Sequence, residues 1–107
     1  MIEIEPEWKL CVLVCTNSRG PETGKPSCGE QRGSELRDAI KDLRTQGGHK
    51  GTVLVSKVGC LGVCSPRGVT VCAVTVDGRR EAWVVEDGDS PAAVWAKVGA
   101  FRRAALT

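Results

Sequence analysis

The sequence predicts an α/β fold, one mixed four-stranded sheet with two main helices in the order β-α-β-β-β-α. Three observations carry that expectation. Four short runs are rich in apolar and β-branched residues, the mark of strands. Two longer stretches place their apolar residues at helical spacing. The first strand–helix–strand order implies a parallel pair joined by a right-handed crossover, and Asp77-Gly78 signals an antiparallel hairpin further on.

Residues 1–7, Met-Ile-Glu-Ile-Glu-Pro-Glu, read as a loose acidic arm on a single domain spanning 1–107. Trp8 to Cys15 is a nearly continuous apolar run, as expected of a strand buried on both faces. A polar loop with Gly20, Pro21, Gly24 and Pro26 then leads to Cys28. Ser34 to Gln46 reads as a helix capped by Ser34, with Leu36, Ala39, Ile40 and Leu43 as its buried stripe. An earlier start near Cys28 is compatible if Gly33 is tolerated inside. Lys41 and Arg44 suit the C-terminal end of that helix, and Gly47-Gly48 stops it.

Thr52 to Val58 is the second strand and Val69 to Val76 the third; Arg80 to Val85 returns from the hairpin as the fourth. Ser90 caps the last helix with Pro91 at its first position, and Val94, Val98 and Phe101 form its buried stripe beside Trp95.

Net charge is +2, with 26% charged residues, 41% hydrophobic residues and no Tyr. That balance argues against a nucleic-acid or membrane-surface binder, and the few aromatics argue against a single-strand stacking platform. No run approaches the ~18 apolar residues of a membrane span. The acidic N-terminus has no apolar h-region, which reads as cytoplasmic. Six cysteines in such a compartment point to metal binding or redox chemistry rather than a disulfide framework.

The cysteines divide by context. Cys60 and Cys64 sit in a glycine-rich loop, Gly59-Cys-Leu-Gly-Val-Cys-Ser-Pro-Arg-Gly68, between two strands. Cys15 and Cys28 flank the upstream loop. Four thiolates delivered in pairs by two loops suit a metal centre. The twelve residues between Cys15 and Cys28 fit compact zinc knuckles poorly, and no C-x-x-C exists for a dithiol oxidoreductase. An iron–sulfur cluster tolerates wide loops, so it is favoured, while zinc and unligated or redox-active thiols stay open. A four-thiolate 2Fe–2S centre carries a formal charge of roughly −2 to −3. Burying that charge calls for backbone N–H donors, and Gly59, Gly62 and Gly68 would let the chain approach closely.

Cys11 and Cys72 fall inside strands and read as core packing. Levelling the ends of their strands, Cys15 with Gly68, places Cys11 directly opposite Cys72 across an antiparallel pair, as free thiols. His49 stands alone in a loop and reads as solvated, because a Rieske-type site needs a second His. Arg19, Lys25, Arg32, Lys57 and Arg67 surround the four cysteines in sequence, as a basic docking rim or as solvated surface.

Cys15-x12-Cys28, Gly59-Cys60-x3-Cys64 and the run Ser27-Cys-Gly-Glu-Gln-Arg-Gly33 resemble the thioredoxin-like 2Fe–2S ferredoxins, also called Shethna-type, over about residues 8–100. The resemblance implies a thioredoxin-like sheet and one 2Fe–2S cluster on Cys15, Cys28, Cys60 and Cys64. It implies a one-electron carrier between protein redox partners, not an enzyme, and commonly a homodimer. The chain departs from that family in Ser65-Pro66-Arg67-Gly68 and Thr75-Val76-Asp77-Gly78, where relatives tend to have Gly-Pro and Tyr-Pro-Asp-Gly. The alternatives are a zinc-stabilised interaction module, an accessory subunit of a larger redox complex, and a thiol enzyme using Cys60 and Cys64.

Overall fold

A computed structural model describes residues 1–16, 30–59 and 68–106. Its elements are β1 (Leu10–Cys15), α1 (Glu30–Gln46), β2 (Val53–Val58), β3 (Gly68–Thr75), β4 (Arg80–Glu86) and α2 (Pro91–Leu106). They form one four-stranded sheet in the order β2-β1-β3-β4. β1 runs parallel to β2 and antiparallel to β3, and β3 runs antiparallel to β4. This is the expected mixed sheet with two helices, a thioredoxin-like fold.

Alternation along the strands divides the sheet into two unlike faces. Leu10, Val12 and Val14 of β1, Val53 and Val55 of β2, Val69, Val71 and Ala73 of β3 and Val85 of β4 face one way. They form one core with Leu36 and Ile40 of α1 and Val94 and Val98 of α2; Trp83, Trp95 and Phe101 pack at its margin. The two helices also contact each other, so they form a single layer on that face. The other face carries Leu54, Cys11, Leu13, Cys72, Val74, Ala82 and Val84, and no helix of the described residues covers it.

The ends of the elements follow their local chemistry. Ser90 Oγ accepts from the Ala93 N–H at 3.1 Å, the expected cap of α2. Gly48, at φ 79°, closes α1, and the His49 N–H reaches back to the Arg44 carbonyl at 3.0 Å. Gly78, at φ 92°, makes the β3–β4 turn, where the Thr75 hydroxyl donates to the Asp77 carboxylate. Together with the Arg79 backbone N–H and guanidinium, that bond holds the Asp77 carboxyl below its ordinary value, burial opposing only in part.

Three expectations need correction. α1 starts at Glu30, so the earlier of the two starts holds, with Gly33 inside the helix, and Ser34 does not cap it. The buried stripe of α1 is Gly33, Leu36, Ile40 and Arg44, with Ala39 and Leu43 only half-buried. Arg44 is tolerated there because its Nη1 donates to the Val53 carbonyl at 3.2 Å, at the helix end that favours a cation. The β1–β3 register is shifted by two residues from that expected: Cys11 lies opposite Val74 and Cys72 opposite Leu13. The strand ends are not level, since β3 reaches Gly68 beyond the end of β1. Cys11 and Cys72 are therefore diagonal neighbours on the face away from the helices, both free thiols. Burial pushes the Cys11 thiol up, with a further push from Cys72. Burial raises the Cys72 thiol as well, against a lowering by the Arg80 guanidinium.

Candidate metal centre

β1 ends at Cys15 and β2 at Val58, and the parallel register sets these two residues side by side. The Thr16 backbone N–H and its Oγ1 both donate to the Val58 carbonyl, at 2.8 and 3.0 Å, and pin this end of the pair. Gly59 follows directly, and β3 starts at the same end with Gly68. The segments 17–29 and 60–67 therefore leave and rejoin the described residues at one end of the sheet. Cys28, Cys60 and Cys64 belong to those segments and lie outside the described residues, as do Gly62, Arg19, Lys25 and Arg67.

Cys15 is the predicted ligand that can be placed. Its side chain is fully buried, with Sγ 4.0 Å from the Gly59 carbonyl oxygen. A soft donor atom is thus fixed where the second cysteine-bearing segment begins. α1 brings its N-terminus to the same place. Gly33 packs so closely on the end of β1 that a Cβ there would overlap the Cys15 carbonyl oxygen. The free N–H groups and positive dipole end of a helix favour negative charge nearby, and Glu30 comes only two residues after Cys28. A buried sulfur donor and a helix N-terminus fit an anionic thiolate-bound metal group. Among the described residues, no three His, Cys, Asp or Glu side chains gather as a metal site.

Gly68 is as tightly placed as Gly33. A Cβ on it would overlap the Val85 carbonyl oxygen and stand 2.6 Å from its carbon. It has no room for a side chain where the chain enters β3 after Cys64. Gly59, by contrast, has none of the described residues within 4 Å of its Cβ direction.

The charges at this end are mixed. Arg32, one member of the suggested basic rim, pairs with Asp87 at 2.7 Å, both side chains being exposed. Asp87 belongs to the turn after β4, where the Glu86 N–H donates to Asp89 Oδ2 at 2.9 Å, and Glu86 lies opposite Gly68 in the sheet. Lys57 is exposed on the edge strand. Sequence reading missed the acidic turn because only the β3–β4 register brings it to the cysteine end. It also missed the packing role of Gly33, although a glycine inside a helical pattern was the available signal.

His49 lies at the opposite end of α1, with its ring 6.0 Å from that of Trp95. It is half-buried and has no part in this site.

No known family matches the chain, and no curated protein does. Among solved structures, the thioredoxin-like [2Fe-2S] ferredoxin from Aquifex aeolicus is similar to it, with a TM-score of 0.57 and 24% sequence identity. The alignment covers 92% of this chain and 86% of that one. At that identity the likeness establishes the fold. No helix among the described residues is long and apolar enough to cross a membrane.

Proposed function

We propose that the chain is a ferredoxin: a one-electron carrier holding a single 2Fe–2S cluster on Cys15, Cys28, Cys60 and Cys64. The observation that carries this reading is the position of Cys15. Its buried sulfur closes the central strand at the end where both cysteine-bearing segments begin and return. The likeness to the Aquifex ferredoxin supports the same reading, because it extends over nearly the whole chain. When bound, the cluster supplies one-electron redox chemistry that no side chain here provides.

The protein's part is to fix the sulfurs, exclude water and set the charge environment. β1 holds Cys15 rigidly between two neighbouring strands, the Thr16 bonds to Val58 prevent fraying, and the α1 N-terminus offers its dipole. All-cysteine ligation points to a low potential, on the order of −400 mV. The partners are protein electron donors and acceptors, met at the cysteine end, in the cytoplasm; the resemblance adds a homodimer, which sedimentation would check.

The test is preparation without air. Red-brown protein with visible absorption and two irons per chain is the expected result; colourless, zinc-loaded protein refutes the ferredoxin reading. Alanine at Cys15, Cys28, Cys60 or Cys64 should abolish the cluster, while Cys11→Ala and Cys72→Ala should keep it. A native cluster in Cys60→Ala would overturn the ligand set.

A further inference from the structure

Among the described residues, two apolar features lack a partner. The first is the sheet face opposite the helices. Leu54, Cys11 and Val74 stand in a row across three strands, and Arg80 ends that row. Leu13, Cys72 and Ala82 follow in the next row, and Val84 beyond them is 37% exposed. The second is the N-terminal arm, in which Ile2 and Ile4 are 89% and 81% exposed.

The two are joined at one point. Lys9 is fixed at the foot of the sheet, its N–H donating to the Thr52 carbonyl at 2.8 Å and its carbonyl accepting from the Val76 N–H at 3.3 Å. The arm therefore starts beside the Leu54–Cys11–Val74 row. We propose that residues 1–5 are a strap for this face of their own chain, laying Met1, Ile2 and Ile4 over the half-buried Cys72 thiol and its neighbours, Cys11 being buried already.

Reach, pattern and charge support the assignment. Ile4 is six Cα steps from Leu10, which extended span about 20 Å. The four strands are about 14 Å across. In an extended arm the alternation Ile-Glu-Ile-Glu puts both isoleucines on one side and Glu3 and Glu5 on the other. Arg80 lies at the edge of this face, close enough to Cys72 to act on its thiol, and is the cation offered to an arm that carries Glu3, Glu5 and Glu7. The Arg79 guanidinium is engaged elsewhere, by Asp77 and the Ala105 carbonyl. A second copy of the chain is the weaker occupant. The face measures roughly 14 by 20 Å, about a third of the area per partner in a standard stable interface. The strap would shield the Cys72 thiol, outside the metal centre, and it stands or falls independently of the cluster.

The test uses Cys72 as its own reporter. Cleavage after Arg67 and Arg79 yields the peptide 68–79, whose sole cysteine is Cys72. Full-length protein, as purified, is pulsed with iodoacetamide and the alkylated fraction of that peptide is followed by mass. In Ile2→Ser/Ile4→Ser the rate should rise at least about fivefold, the effect of removing a closed state favoured by ~1 kcal/mol. Glu3→Lys/Glu5→Lys should accelerate it in the same direction, without touching the apolar contact. Equal rates in wild type and both variants would overturn the strap. So would protection that survives in the variants and grows with protein concentration, because the cover would then be a second copy.

Discussion

Gly33→Ala sets two effects against each other. On helix propensity alone, alanine within α1 should stabilise by about 1 kcal/mol. The structure predicts the opposite sign. The new Cβ would overlap the Cys15 carbonyl oxygen, with Thr16 Cγ2 at 3.0 Å and the Cys15 carbonyl carbon at 3.1 Å. The obstacle is backbone of the central strand, which cannot rotate away as a side chain would. Overpacking of this kind costs about 1–3 kcal/mol, and a backbone obstacle belongs at the upper end. Subtracting the propensity gain leaves a net loss of about 2 kcal/mol, or about 8–16 °C in Tm for a domain of this size. The assay is thermal unfolding followed by circular dichroism, with visible absorption recorded alongside. Gly51→Ala is the control, since nothing lies within 4 Å of its Cβ direction and its φ is ordinary. An unchanged or raised Tm in Gly33→Ala would refute the close packing of α1 on β1.

Further outcomes follow from the same geometry. Gly68→Ala should also lower Tm and reduce metal loading, because its Cβ would meet the Val85 backbone; full loading with an unchanged Tm would refute that contact. Ser90→Ala should cost about 1 kcal/mol by removing the acceptor for the Ala93 N–H, read as a lower Tm. Cys11 and Cys72 have folded-state pKa values raised above 9.0, so their protonated forms are favoured by folding. The stability they contribute is complete below pH 9 and is lost as pH rises through the folded values. Between pH 8 and pH 10, Cys11→Ala/Cys72→Ala should therefore lose less Tm than the wild type. An equal loss in both proteins would refute it.

The architecture was legible because its signals are local. Apolar, β-branched runs gave the strands, Asp77-Gly78 gave the hairpin, and Ser90-Pro91 gave the start of α2 to the residue. The errors all involve contacts between distant segments. Ser34 has the chemistry of a cap, but the helix begins four residues earlier, and Gly33 is there because β1 leaves no room for a side chain. Arg44 occupies a stripe position that the apolar pattern assigned elsewhere, because a carbonyl on β2 accepts from it. The Cys11–Cys72 register failed by two residues, since sequence does not say how far β3 extends past its neighbour. Of the candidate ligands, Cys15 has been placed at the expected strand end. Cys28, Cys60 and Cys64 lie outside the described residues.

The strand order β2-β1-β3-β4 also has a consequence for how the chain reaches this state. The segment from β3 to α2 can assemble from near neighbours through its hairpin. β1, although first in sequence, must close two long loops, to β2 some 43 residues away and to β3 about 60 away. Its insertion is the slow, topologically expensive step, and it joins two otherwise separable halves along the β1–β3 seam. Cys15 and Cys28 belong to the first half, while Cys60 and Cys64 fall between the halves, beside the start of the second. A metal group on those four residues would rivet that seam after the chain has closed. Removing it should speed hydrogen exchange first at the amides of Leu13 and Cys72, a pair that bonds across the seam, before those of the β3–β4 hairpin.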